Sequence, residues 1–249
     1  MITKQKIQIY RSLKESQEIR EQGIFMVEGV KTCLMAVEHY ADKVETLLVD
    51  SSRYDIEVYK DFCHNYQNIE VVSINARDAD LISSLKTSPG IMAICRVPAP
   101  FLFDSNAPKS IYLHEIVDPG NLGTIIRTAE WFGIDQILLS SKSVYQFHPK
   151  VVQASMGAIF KSKVVGVTNE ELQNIMPQTI SVAMDISGQK FESKSLIKAN
   201  LVLFGSESHG LPPDILDWSK EVLKIENAKY SIAESLNVAI TAGIICAQW

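Results

Sequence analysis

Three polar clusters in the second half of the chain each follow an apolar run, and each has a composition suited to chemistry. The first lies in HEIVDPGNLGTIIRTAEWFG, residues 114–133. An apolar run, Ile111 to Val117, ends in Asp-Pro-Gly-Asn, and an amphipathic segment begins at once. Gly120 and Gly123 allow a tight turn, and the side-chain oxygen of Asn121 can cap a helix by accepting an early backbone N–H. Leu122, Ile125, Ile126 and Ala129 form a stripe to be buried, and Arg127 projects away from it. Two readings stand here: a capped helix with one solvated or ion-paired Arg, or a site for an anionic or ribose-bearing ligand at a helix N-terminus. The glycines are spaced GxxG, so the GxGxxG dinucleotide pattern is absent, as is a Walker lysine.

The second cluster is LVLFGSESHGLPPDIL, residues 201–216. Ser208 and His209 invite a hydrolase reading. A nucleophile elbow needs Gly two residues before the Ser, and Ser206 stands there, so a plain turn is preferred. Glu207 is different, because a carboxylate directly after an apolar strand must find donors, either backbone amides or a ligand. The third cluster opens KIENAKYSIAESLNVAITAGIICAQW, residues 224–249. Ser235 or Glu234 can cap a helix that is apolar nearly all round, a pattern that calls for cover on several sides. Ser235 and Asn237 sit at its start, where its polar end would meet a cleft.

The elements that must position these residues alternate. Strands are predicted at 110–117, 136–140, 163–167, 180–186, 201–205 and 221–225, with helices at 121–132, 149–159, 169–176 and 234–248. Continuous apolar strands such as LVLFG and QILLS suit a parallel sheet covered on both faces, whose ligands bind beyond the carboxyl ends of the strands. Ahead of this lies a smaller α/β unit, with helices at 4–22 and 31–40 and strands at 44–50, 69–74 and 90–97. Residues 98–110, PAPFLFDSNAPKS, carry three prolines and no periodicity. The division is therefore 1–97, a linker at 98–109, and 110–249.

Bulk properties restrict the function classes. At 249 residues and 46% hydrophobic, the chain can bury one large core or two modest ones. No apolar run reaches membrane-span length, and the polar N-terminus lacks a signal-peptide core. Cys33, Cys63, Cys95 and Cys246 are far apart, which indicates reduced core residues of a cytoplasmic protein and no metal site. The net charge of −5 argues against nucleic acid when taken alone. Locally, Lys4, Lys6, Arg11, Lys14, Arg20 and Lys31 outnumber Glu15, Glu18, Glu21 and Glu28. A solvated helix face is the preferred reading of that excess, with a phosphate patch as the other.

In this order the three clusters are far more specific than any one alone. DPGNLGTIIRTAEWFG, GSESHGL and ESLNVAITAGI resemble the three signature motifs of the SpoU (TrmH) family, RNA ribose 2′-O-methyltransferases of the SPOUT class. The resemblance spans roughly residues 110–249. GIFMVEGVKTCLMAV and SPGIMAICRVP resemble, more weakly, the small α/β RNA-binding domain often fused ahead of it.

The resemblance implies a parallel-sheet SPOUT domain with a C-terminal trefoil knot, a homodimer, and S-adenosylmethionine as cofactor. It implies that Asn121 and Arg127 face the target ribose and that Glu207 supports the active-site loops. Leu203, Gly205, Ile225 and Leu236 would hold the cofactor, largely through backbone atoms, and Ser235 and Asn237 would line the junction of cofactor and substrate. Ribosomal RNA is the preferred substrate and transfer RNA the other. The alternatives are a non-catalytic RNA-binding assembly factor and, on Ser208 and His209, a serine hydrolase. One departure bears on substrate fit: Glu226 and Asn227 stand where many members carry Pro-Met, and the loop to Ser235 is longer than the common form.

Overall fold

The computed structural model describes residues 2–66 and 68–249. The first part runs α1 (Lys4–Ser12), α2 (Ser16–Gln22), β1 (Ile24–Glu28), α3 (Val30–His39), β2 (Val44–Asp50), α4 (Ile56–Cys63), β3 (Glu70–Ile74), α5 (Ala76–Ile82) and β4 (Ile91–Arg96). The second runs β5 (Ser110–Leu113), α6 (Pro119–Trp131), β6 (Gln136–Ser140), α7 (Pro149–Ser155), β7 (Val164–Val167) and α8 (Asn169–Ile175). It closes with β8 (Ser181–Lys190), β9 (Leu201–Phe204), α9 (Pro213–Trp218), β10 (Glu221–Lys224) and α10 (Val238–Gln248).

Two compact units result, and chain order does not divide them cleanly. One comprises Met1–Ala99 with Tyr145–Lys161; the other comprises Pro100–Val144 with Ser162–Trp249. In the first, the strands order as β1-β4-β2-β3, with only β2 and β3 parallel. Segment 145–161, taken from the sequence as part of the later domain, packs within this unit for aromatic reasons. Phe147 meets Phe25 with ring centroids 4.4 Å apart, Phe160 meets Tyr40 at 5.5 Å, and the Arg20 guanidinium lies 3.7 Å over the Tyr145 ring. Val151 and Val152 of α7 are buried.

The second unit is a six-stranded sheet, parallel throughout, ordered β10-β8-β9-β5-β6-β7. The continuous apolar runs are buried as a parallel sheet requires, with Leu138, Leu201 and Leu203 fully covered in one core with Tyr112 and Ile215. After β7 the chain crosses to β8 and leaves a slot that β9 fills beside β5. This brings the carboxyl ends of β5 and β9 together.

Element boundaries differ from the sequence reading where side chains take over backbone bonds. Residues 4–22 form two helices, since Ser12 Oγ donates back to Ile9 O and the chain turns at Leu13. β5 stops at Leu113 because Glu115 adopts a left-handed conformation, φ +49°. The helix expected over 149–159 breaks at Met156 (φ 50°) and Gly157 (φ 93°). α10 starts at Val238, not Glu234, since Asn237 Oδ1 accepts from Ala239 N and Ile240 N at 2.9 and 3.2 Å. β1, α4, α5 and α9 were not anticipated.

A fragment beginning at Lys109 keeps Phe147, Val151, Val152 and Phe160 but loses Phe25 and Tyr40, which contact two of them. Its expected behaviour is aggregation and strong binding of an apolar-surface dye, measured beside the intact chain. A monomeric fragment with no dye binding would show that segment 145–161 finds other cover.

Candidate active site

Three segments meet beyond the carboxyl ends of β5 and β9. α6 is capped by Asp118, whose Oδ1 accepts from Asn121 N at 2.8 Å, with Pro119 at the first helical position. The expectation that Asn121 is the cap is therefore corrected. The Asp-Pro pair was the available signal, and it frees the Asn121 amide for other partners. Asn121 Nδ2 donates to Glu207 Oε1 at 2.7 Å. Asn237 Nδ2 donates to the same oxygen at 2.7 Å and to Asn121 Oδ1 at 3.0 Å. Glu207 thus finds its donors, and one carboxylate oxygen ties three loops together. Its other oxygen, Oε2, has no hydrogen-bond partner among the described residues.

Glu207 is held out by a tight loop. Ser206 and Gly210 exchange backbone hydrogen bonds at 3.2 and 2.9 Å, and Gly210 turns with φ +66°. Gly205 is required by close approach, because a Cβ there would lie 2.1 Å from Gly210 C and 2.4 Å from Leu211 N. Ser208 and His209 are exposed members of this turn, and no Ser–His hydrogen bond joins them among the described residues.

The other expected residues divide. Leu203 is fully buried in the core, so only its backbone can reach a ligand. Ile225 is half-buried, and Ser235 and Leu236 are exposed in an extended loop before α10. Ser235 caps nothing; that role belongs to Asn237. Arg127 is exposed on α6 and bonds to none of the three joined side chains. Six residues from Asn121, it lies about 120° around the helix, on the stripe of Thr124 and Trp131.

A second polar group borders this one and was not anticipated. Glu115 Oε1 lies 3.0 Å from Lys142 Nζ and 3.5 Å from His114 Nε2. The hydrogen bond from Lys142 holds the Glu115 carboxyl below the usual carboxylate range. Burial pushes His114 down, against the opposing pull of Glu115. Tyr112 Oη and His114 Nδ1 are 3.0 Å apart. The left-handed Glu115 is pinned by its backbone, with Glu115 N donating to Ser140 Oγ at 2.8 Å and Ile116 N to Ser143 Oγ at 3.0 Å.

The residues present fit a nucleoside cofactor. The loop between Ile225 and Asn237 has little internal hydrogen bonding, chiefly Ser231 N to Ala228 O at 2.9 Å, so its main chain offers donors and acceptors. The tight turn from Gly205 to Gly210 lies beside it, and the exposed Leu236 adds an apolar edge. Among the described residues no group of His, Cys, Asp or Glu side chains could hold a metal ion, and no helix is long and apolar enough to cross a membrane.

Fold and site together define a parallel α/β protein that joins three loops beyond the carboxyl end of its sheet. Residues 108–247 match the profile of the SpoU rRNA Methylase family, and the chain belongs to that family. Over 247 residues it is 26% identical to the 23S rRNA (guanosine(2553)-2′-O)-methyltransferase RlmP of Bacillus subtilis, covering 97% of this chain and 94% of that one. A structure from Porphyromonas gingivalis assigned to the TrmH family of RNA methyltransferases is 29% identical, with a TM-score of 0.84 over 100% of this chain and 98% of that one. The SpoU methyltransferase AviRb of Streptomyces viridochromogenes, in complex with AdoMet, shares the fold. Its TM-score is 0.86 at 23% identity, over 99% of this chain and 97% of that one.

Gly205→Ala is expected to lower stability by about 1–3 kcal/mol, because the added methyl meets backbone that cannot swing aside. Urea unfolding measures it; an unchanged midpoint would mean that the loop opens freely.

Proposed function

We propose that this chain methylates a ribose 2′-hydroxyl of ribosomal RNA, with Asn121, Arg127, Glu207, Ser235 and Asn237 at the reacting ribose. The carrying observation is the bonding of Asn121 and Asn237 to one oxygen of Glu207. It leaves Glu207 Oε2 as an acceptor beside two oriented amides. Transfer RNA is the other substrate this chemistry admits. Ribosomal RNA is favoured by the near full-length likeness to a 23S ribosomal RNA enzyme.

S-adenosylmethionine supplies a methyl group on a positively charged sulfur. The backbone at Leu203, Gly205, Ile225 and Leu236 holds it, and the protein's part is alignment of two reactants, worth several powers of ten in rate. The hydroxyl must also lose its proton. A guanidinium stays protonated, so Arg127 cannot be the base. It orients the hydroxyl and a neighbouring phosphate, and the proton passes to Glu207 Oε2 or to water.

The same reading makes the chain a homodimer. Ile240 and Ile244 are exposed on α10, Leu236 precedes them, and Trp131 ends α6 at 80% exposure. Exposed apolar residues on two packed helices call for cover, and a second copy would bring its own Arg127 stripe to this face. The order of the strands, with β9 inserted beside β5 and α10 returning to α6, supports a trefoil knot in the segment after β8. RNA selection falls to residues 1–97, joined through 98–109 to the methyl-transferring part, 110–249. The setting is the cytoplasm.

Arg127→Ala and Arg127→Lys are both expected to abolish single-turnover methylation and to leave calorimetric cofactor affinity nearly intact. Lys keeps the charge but loses the planar fork that holds a hydroxyl and a phosphate together. Near-normal turnover in Arg127→Lys would overturn the positioning role. Sedimentation at micromolar concentration should give twice the 27.8 kDa chain mass, and a stable monomer would refute the dimer.

A further inference from the structure

Glu115 combines features that no structural role accounts for. It is a non-glycine residue in the left-handed region, a conformation that costs about 1–2 kcal/mol. The cost is met locally by Ser140 and Ser143, which accept from the amides of residues 115 and 116. Its side chain is 30% exposed, and Lys142 Nζ and His114 Nε2 approach the same oxygen, Oε1. Oε2 has no partner among the described residues. A surface carboxylate placed only to pair with Lys142 would need neither the strained backbone nor the two serines.

The chain around Glu115 places it near the proposed site. Glu115 lies in the loop after β5, three residues before the cap of α6. His114 N donates to Phe204 O at 2.9 Å, so the loop that carries Glu115 leaves the sheet beside the strand end that leads to Glu207. An RNA whose ribose sits at Asn121 and Glu207 has a base nearby. An ionised carboxylate only accepts hydrogen bonds. Along one edge, guanine offers two adjacent donors, N1–H and the N2 amino group. Adenine and cytosine each set an acceptor nitrogen beside their single amino group, and uracil sets carbonyls on both sides of its one N–H.

We infer that Glu115 reads the Watson–Crick edge of a guanine at the methylated nucleotide. Oε2 and the outer lone pair of Oε1 accept from N1–H and N2–H, while Lys142 and His114 keep the carboxylate in place. The inference rests on the proposed function and adds to it the identity of the base.

The test begins with unmodified ribosomal RNA and the intact enzyme. The nucleotide methylated by the wild type is mapped, then replaced by adenosine through mutation and by inosine through ligation. Inosine keeps N1–H and lacks the amino group. The wild type should methylate guanosine at least tenfold better in kcat/KM than inosine, and inosine better than adenosine. A site built for a hydrogen-bonding group rejects the analogue that lacks it, because its own polar group is left unpaired. Glu115→Ala should cut the guanosine value by about ten- to a hundredfold and leave inosine and guanosine nearly equal, with calorimetric cofactor affinity unchanged. Glu115→Gln keeps the size and should lose the same preference, since an amide presents a donor to one of the two guanine donors. A mapped nucleotide other than guanosine, or a variant that keeps the preference, would overturn the inference alone. A wild type that methylates no ribose would overturn the proposed function and this inference with it.

Discussion

A single oxygen, Glu207 Oε1, is the point on which the second unit converges. It accepts from Asn121 and Asn237, which lie 86 residues before it and 30 after it. Hydrogen bonds to a charged acceptor are the stronger kind, about 1.5–3 kcal/mol each when shielded and less at an exposed site such as this one. Their larger effect is on geometry. Asn237 is fixed twice, because its Oδ1 caps α10 while its Nδ2 donates to Glu207 and Asn121. Asn121 is free for this work only because Asp118 caps α6. If either cap moved to the neighbouring residue, an amide would leave the cluster.

The sheet order makes the meeting possible. β9 enters beside β5, which lets Glu207 reach a helix that began nearly ninety residues earlier. The packing that follows leaves no room for side chains at two places. A Cβ on Gly205 would strike the Gly210 backbone, and one on Gly188 would lie 2.6 Å from Val222 C and Leu223 N. At the second, β10 rejoins β8 after a register shift between Val222 and Leu223. Both glycines serve close backbone approach, since neither has a positive φ.

The sequence carried the parallel sheet because buried strands such as QILLS and LVLFG are apolar on both faces, a signal that needs no knowledge of neighbours. It also carried Asn121, Glu207 and Asn237 as site candidates, each a polar residue just beyond an apolar element. It did not carry their mutual bonds, which depend on strand order. The caps were misjudged for a local reason: Asn121 and Ser235 are good capping types, but Asp118 and Asn237 lay closer to the true first turn. Segment 145–161 was misplaced because its partners, Phe25, Tyr40 and Arg20, lie more than a hundred residues upstream. Glu115 was invisible because no pattern in HEIVDP announces a left-handed glutamate. The Ser140 and Ser143 hydroxyls, supplied by the next strand and turn, help to hold that conformation.

Glu207 and Glu115 share an arrangement that bears on how the site is built. Each follows a buried strand of the sheet, β9 for one and β5 for the other, and each has one oxygen held by protein donors and one left open. The donors differ in charge, and so would the consequences. Glu207 meets two neutral amides, and its second oxygen stays an acceptor beside them. Lys142 offsets the charge on Glu115 and lowers its basicity. That suits a hydrogen-bond acceptor which must not take the proton from a nucleobase. The two carboxylates thus meet different partners. Strand order brings them to one end of the sheet, and the chemistry follows from which donors each one meets there.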